Sequence, residues 1–412
     1  MNKTVVVIGA GAAGLFAAGV AAERGADVTL LEKNGSAGRK LNITGKGRCN
    51  LTNNCEFDTL LLNVPQNPRF MYSAFSAFSP QDTMAFFERE GVALKTERGG
   101  RVFPVSDRAR DITDALVAFA KRGGVRIKKA VALGILSDGE RVLGVQTDAG
   151  EVLCDCVIVA TGGASYPLTG STGDGYEFAK SCGHTVSKVQ GSLVPLVSEK
   201  ICASAQGLTL KNVTLSVKNE KGKLIFSELG EMLFTHFGMS GPLVLSASAH
   251  MRNFDKEKYS ISIDLKPGLT PEKLEERILR DIEEKKNKDM HNLLRGFMPA
   301  SLVAVVLAKA GIDGGVKANS LTREMRRKLR DTMKCLTFEI YGKRPIEEAI
   351  ITTGGVDVRE INPKTMESKK VCGLYFAGEV LDVDAYTGGF NLQIAWSSAY
   401  VAGEAAAKNE ER

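Results

Sequence analysis

The chain has 412 residues, of which 43% are hydrophobic and 25% charged, with a formal net charge of +6 and eight cysteines. That length calls for two or three domains with ample core. The composition is that of a soluble globular protein, and so mild a charge tolerates an anionic ligand without arguing for nucleic acid. No two cysteines form a CxxC pair and the four histidines have no metal-ligand spacing, so no metal site is expected. With no secretory signal, the expectation is a cytoplasmic protein with reduced thiols.

The run Val5-Val6-Val7-Ile8 reads as a buried strand. Gly9-Ala-Gly11-Ala12-Ala13-Gly14 then turns the chain into an alanine-rich helix. This is the dinucleotide fingerprint: Gly9 makes the turn, Gly11 admits a pyrophosphate to the backbone, and Gly14 lets helix and strand close up. The helix N-terminus at Ala12 and Ala13 receives the phosphate charge. A second strand, Asp27 to Leu31, ends in Glu32, eighteen residues past Gly14, where a carboxylate accepts ribose hydroxyls and repels a 2′-phosphate. Thr4 to Ala22 also runs nineteen residues without a charge. It is too rich in Ala and Gly for a membrane span, and the pattern resumes as a strand.

Lys33 is followed by a basic, glycine-dense stretch expected to be a flexible anion cradle, contributed by Arg39, Lys40, Thr44, Gly45, Gly47, Arg48, Cys49 and Asn50. Residues 58–124 read as helices with a turn or hairpin at Arg98–Pro104, and strands follow around Ile127 and Val145. Cys156 to Ala160 is another buried strand, and Thr161-Gly162-Gly163 brings the chain back to the nucleotide side. Thr172-Gly-Asp174-Gly175 opens a helix, with Asp174 open to either a capping or a ligand role. Alternating runs after Pro195 predict antiparallel strands. Within them, Phe234-Thr-His236-Phe-Gly238 forms a loop whose histidine is a candidate ligand contact, with a structural histidine as the plainer reading. Residues 270–334 read as helical. The basic face from Arg323 to Arg330 lacks interleaved aromatics, which favours a solvated surface over an RNA patch.

The last strand ends in Gly378-Glu379. Asp382, Tyr386 and the turn Gly389-Phe390-Asn391-Leu392 then lead into a final alanine-rich helix. A carboxylate after a strand suits ribitol hydroxyls, and a glycine turn at a helix N-terminus suits the N1–C2=O edge of a flavin. The far end of the chain thus rejoins the first strand's site, which a simple NAD domain does not need. The dinucleotide is therefore expected to be FAD, held non-covalently.

The Thr172–Gly175 and Ala377–Glu379 pieces resemble those of fumarate reductase and succinate dehydrogenase flavoproteins. Gly38–Asn50, Gly170–Gly175, Phe234–Pro242 and Tyr386–Gln393 together are similar to the bacterial YhiN/BaiN-like family of NAD(P)/FAD-dependent oxidoreductases. The resemblance implies an α/β fold, with a Rossmann-like FAD-binding domain over residues 1–194 and 346–412. A β-rich domain (195–268 and 335–345) and a small helical domain (269–334) interrupt it. In such FAD enzymes an inserted hairpin is common, and the adenine meets backbone near a position like Val131. The expected activity is hydride transfer between FAD and a small organic substrate, an enone-type double bond being the preferred subtype. NAD(P)H is the candidate transient reductant, because there is only one glycine fingerprint. His236 and Tyr386 are the candidate proton donors. Neither a nucleic acid nor a membrane partner is expected, and the alternatives are a flavin-dependent RNA-modifying protein or a flavoprotein whose FAD is mainly structural.

Overall fold

In a computed structural model that describes residues 2–408, the apolar run near the start of the chain is the strand Thr4–Ile8, and its four aliphatic residues are buried. Buried on both faces, it takes parallel partners on both sides. Val6 lies opposite Thr29 of Asp27–Glu32 and opposite Val157 of Cys156–Val159. Arg126–Lys129 and Leu374–Phe376 complete five strands in the order 374–376, 156–159, 4–8, 27–32, 126–129. The chain first builds outward on one side of Thr4–Ile8 and later on the other. The switch point therefore lies between Thr4–Ile8 and Cys156–Val159, and ligands of such sheets bind outside the strands' carboxyl ends there.

Two helices with no polar face, Ala12–Glu23 and Phe390–Ala407, are buried together against this sheet. Their approach is close: a Cβ on Gly403 would lie 2.7 Å from the Ala17 carbonyl oxygen. Phe16 joins them to Phe78, Phe86 and Trp396, with ring centroids 5.0, 4.8 and 6.0 Å away. The predicted hairpin is real, with Leu94–Glu97 pairing to Arg101–Pro104. The basic stretch after Gly38 is not a flexible loop throughout. Arg39 to Ile43 make a helical turn that breaks at Thr44 (ψ 149°), and Gly45 and Lys46 then turn left-handed. Among the described residues no helix is long and apolar enough to cross a membrane.

The chain divides into two compact units, Met1–Ser192 with Ile346–Arg412, and Leu193–Pro345. The second contains a closed barrel of six antiparallel strands: Leu196–Ser198, Gly238–Ser240, Leu224–Thr235, Thr209–Asn219, Tyr259–Asp264 and Leu336–Lys343. Alternate residues such as Leu215, Val217, Ile261 and Phe338 are fully buried. Leu274, Val303, Leu329 and Met333, from the helices Pro271–Glu284, Ala300–Ala310 and Arg323–Lys334, share one apolar cluster with the barrel side chains. On the basic face of Arg323–Lys334, Arg326 and Arg330 both bond Glu275, and Lys328 pairs with Glu324.

Candidate cofactor site

The glycine turn is shaped by three different contacts. Gly9 is left-handed at φ 100°, and its N–H donates to the Leu31 carbonyl at 2.8 Å. A Cβ on Gly14 would lie 1.7 Å from the Gly9 carbonyl oxygen, whereas one on Gly11 would meet nothing within 4 Å. So Gly14 is required by helix–strand packing, and Gly11 leaves open space at the helix N-terminus where Ala12 and Ala13 begin. The next strand places Glu32 beside this turn. Its Oε2 accepts from the Ala10 N–H at 2.9 Å, and its Oε1 accepts from the Asn34 N–H and side-chain amide at 2.8 and 2.7 Å. A carboxylate offers about four lone-pair sites, so this orientation leaves Oε2 with one still open.

Cations line the same edge. Lys33 Nζ bonds Thr172 Oγ1 at 2.5 Å and Asp174 Oδ2 at 2.6 Å, while Arg39 bonds Asn34 Oδ1 at 2.8 Å. Lys40 Nζ sits 2.7 Å from Glu379 Oε2 and 2.7 Å from Ser165 Oγ. Glu379 also accepts the Thr352 N–H at 2.8 Å, so its carboxylate is held by a cation and a backbone donor. Gly378, at φ 78°, passes against the first helix: a Cβ there would lie 2.9 Å from the Ala13 Cβ. Gly162 is left-handed at φ 74°, and a Cβ on Gly163 would strike the Thr352 hydroxyl at 2.3 Å.

The broken helix anchors at its far end through Arg48, which bonds Glu97 and Asp107 and lies 4.1 Å from the Phe103 ring centroid. The Thr44 hydroxyl donates to the Leu41 carbonyl, and its own carbonyl accepts the Cys49 N–H at 3.0 Å. Gly47 is left-handed, and Cys49 is fully buried, with its thiol pushed up to about 12 by burial. That burial argues against a redox thiol. Asn50 Oδ1 is buried without a hydrogen-bond partner. An orphaned buried acceptor is costly, and a bound group relieves it. At the last helix, Gly389 is left-handed at φ 101°, and a Cβ there would sit 2.3 Å from the Thr52 carbonyl oxygen. The Asn391 amide clasps the preceding loop, accepting from the Ala385 N–H at 2.9 Å and donating to its carbonyl at 2.7 Å. Phe390 is buried and Leu392 half-buried at the helix start. Asp382 is buried, and its carboxylate takes the Gln66 amide at 3.3 Å.

Two predicted residues, Val131 and His236, stand apart from this frame, whereas Tyr386 borders it, its carbonyl accepting from the Asn391 amide at 3.2 Å. The Val131 N–H donates to Asp148 Oδ1, and its carbonyl accepts the Asp148 N–H, so its backbone is engaged in a local turn. Tyr386 is half-buried, with its N–H on the Asn63 carbonyl at 3.0 Å. His236 is exposed in the turn between two barrel strands, packs edge-on to Phe237, and belongs to the second unit. The structure adds Asn34, Ser165, Thr352 and Gln393, which sequence reasoning missed. Asn34, two residues after Glu32, carried a readable turn signal, whereas Thr352 carried none. A cleft of about 810 Å³ lies elsewhere, lined by Thr4, Cys156 and Gly373 at the amino ends of the strands. It is therefore not the cofactor crevice.

A family model described as HI0933-like protein Rossmann domain matches residues 3–405. A ribosomal RNA dihydrouridine synthase of Haemophilus influenzae is 34% identical over 402 residues, covering 96% of both chains. A 3-dehydro-bile acid delta(4,6)-reductase of Clostridium scindens is 31% identical over 414 residues, covering 99% of this chain and 100% of the relative. Among solved structures, a 3-ketosteroid delta1-dehydrogenase from Sterolibacterium denitrificans aligns with a TM-score of 0.52 at 13% identity, covering 98% of this chain and 99% of that one. That last likeness concerns the fold.

Proposed function

The chain belongs to the HI0933-like family, a family of flavoprotein oxidoreductases, and from that premise we propose that it uses FAD to reduce a carbon–carbon double bond conjugated to a carbonyl. One observation carries the reading. Relatives named for dihydrouridine and for an unsaturated bile acid both match this chain end to end. The two substrates share only the C=C–C=O unit: the C5=C6 bond of uracil beside its C4 carbonyl, and a steroid dienone. Reduction adds a hydride at the β-carbon and a proton at the α-carbon, and NAD(P)H is oxidised to NAD(P)⁺.

The residues fit FAD. Glu32 would take the adenosine ribose, the N-terminus at Gly11–Ala13 the pyrophosphate, and the Lys40–Glu379 pair the ribitol. Asn50 and the helix start at Gly389–Leu392 would meet the flavin ring. When bound, FAD supplies the hydride chemistry. Donors fixed at a helix N-terminus favour negative charge there without reorganising. Tyr386 is the favoured proton donor, because its carbonyl accepts from Asn391 at the helix start that would meet the flavin.

Of the two substrates we place a uracil of ribosomal RNA first, against the expectation of no nucleic-acid partner, because the relative so named is 34% identical over nearly the whole chain. A small enone is the second reading, supported by the bile-acid relative. The test is an anaerobic titration of the purified holoprotein with NADH and NADPH. Deproteinised ribosomal RNA or a 3-oxo-4,6-diene steroid is then added to the reduced protein. Reoxidation by RNA, with dihydrouridine found by mass spectrometry, supports the first reading. Reoxidation by the steroid alone transfers support to the second, and reoxidation by neither overturns both. A colourless protein that FAD does not reconstitute removes the premise.

A further inference from the structure

Tyr166 stands in the left-handed region, at φ 55° and ψ 57°, where a side chain with a Cβ is disfavoured. The chain is pinned on both sides of it. The Ala164 and Ser165 N–H groups donate to Thr352 Oγ1 at 2.9 and 3.2 Å. The Tyr166 carbonyl accepts from the Thr169 N–H and hydroxyl at 2.9 and 2.7 Å. Ser165 is fully buried, and its hydroxyl holds Lys40. The core does not require this conformation, because the ring is only half-buried. Its effect is to present an aromatic face beside the Lys40–Glu379 pair, with Lys40 Nζ 6.0 Å from the ring centroid. Two residues on, Leu168 is 88% exposed, an apolar side chain on the same turn. Strain fixed from both sides is typical of ligand-contacting positions.

We propose that Tyr166 is the platform on which the planar conjugated ring of the substrate stacks, with Leu168 extending the apolar rim. The proposal rests on the function given above. It also favours turnover: a C=C–C=O ring such as uracil is flat, whereas its reduced product is puckered and stacks less well, so the platform holds substrate more tightly than product.

The test compares holoenzyme with Tyr166→Phe, Tyr166→Ala and Tyr166→Gly. In Tyr166→Ala and Tyr166→Gly, KM for whichever probe the wild type turns over, RNA or steroid, rises about tenfold, the usual scale for losing one base–aromatic stack. FAD affinity and flavin bleaching by NAD(P)H change less than about twofold, and Tyr166→Phe, which keeps the ring, recovers substrate affinity. Tyr166→Gly also melts at a higher temperature than Tyr166→Ala, because glycine relieves the strain. An unchanged KM overturns the proposal. So does a tenfold loss of FAD affinity, which would put the ring against the cofactor. If the wild type turns over neither probe, the proposed function fails, and stacking is decided by binding alone. Perturbation of the flavin spectrum by uridine or the steroid then weakens about tenfold in Tyr166→Ala, and an unchanged or undetectable perturbation overturns the proposal.

Discussion

Alanine at Gly11 and alanine at Gly14 should fail for different reasons, although the two glycines lie three residues apart in one motif. At Gly14 the new methyl would be placed 1.7 Å from the Gly9 carbonyl oxygen, against the 3.4 Å at which ordinary contact begins. Helix Ala12–Glu23 must then lift from the strand by more than an ångström, or the Gly9 turn must open. Overpacking of this kind costs about 1–3 kcal/mol, or about 3–10 °C in Tm for a unit of this size. At Gly11 the backbone is extended (φ −83°, ψ −166°) and the methyl meets nothing within 4 Å. Cofactor-free Gly11→Ala should therefore melt within about 2 °C of wild type. Its methyl does occupy the approach to the helix N-terminus, so FAD affinity should fall at least about tenfold, or 1.4 kcal/mol. Calorimetry of deflavinated protein and fluorescence titration with FAD measure the two quantities separately. If deflavinated Gly11→Ala melts as low as Gly14→Ala, or if Gly14→Ala melts with wild type, the two glycines do not divide into a packing role and a cofactor-approach role.

Two further outcomes follow from burial. The exposed thiols Cys335 and Cys372 should react first with a disulfide reagent in native protein, while Cys49, buried and pushed up to about 12, stays unlabelled until unfolding. Mass mapping that finds Cys49 in the first phase contradicts the buried assignment. Acid should weaken the first unit through His184, which lies between Glu360 at 3.1 Å and Ser368 at 2.8 Å. Burial lowers the His184 pKa from 6.5 despite Glu360, so the unfolded chain protonates first and stability declines as pH falls below about 6.5. Burial pushes Glu360 up, but the bonds from Lys370 and Thr185 outweigh it and hold the carboxyl at about 2. Its contribution is present above the ordinary value of 4.5 and is lost as pH falls towards 2. Urea midpoints from pH 7 to 3 should show both declines, and Glu360→Gln should make the lower one shallower, Asp155 and Asp357 contributing the rest. An identical profile in that variant speaks against the pairing.

What the sequence made legible was whatever local chemistry encodes. The strand Thr4–Ile8 and the turn at Gly9–Gly14 are short-range patterns whose residue types admit few alternatives. Glu32 follows from its spacing. The Gly378-Glu379 piece was readable because a strand followed by a glycine turn and an apolar helix repeats the same signal near the other end of the chain. The stretch 39–50 was misread as a flexible loop because Gly45 and Gly47 dominate its local propensity. Its shape comes from partners far along the chain, Glu97, Asp107 and Phe103 on Arg48 and Thr113 on Asn42. Gln393 was invisible for the same reason. It is fully buried and accepts from both Thr52 and Thr83, contacts that no spacing announces. Tyr166 shows the limit most clearly, since nothing in Ser-Tyr-Pro declares a left-handed tyrosine.

The interrupted sheet has a consequence for how the protein is made. Strand Cys156–Val159 is built early, yet its outer neighbour Leu374–Phe376 lies beyond 214 intervening residues. At cellular translation speed that is a delay of roughly 10–40 s. Throughout it, the nascent sheet carries an unpaired parallel edge, a ready template for another chain. Leu193–Pro345, with a core of its own, emerges and has time to fold in that interval. The crevice proposed for the flavin, bordered by Gly389–Leu392, can close only when the last helix has left the ribosome. Chaperone binding on stalled nascent chains should therefore concentrate on that edge, and should fall away once residue 407 clears the exit tunnel.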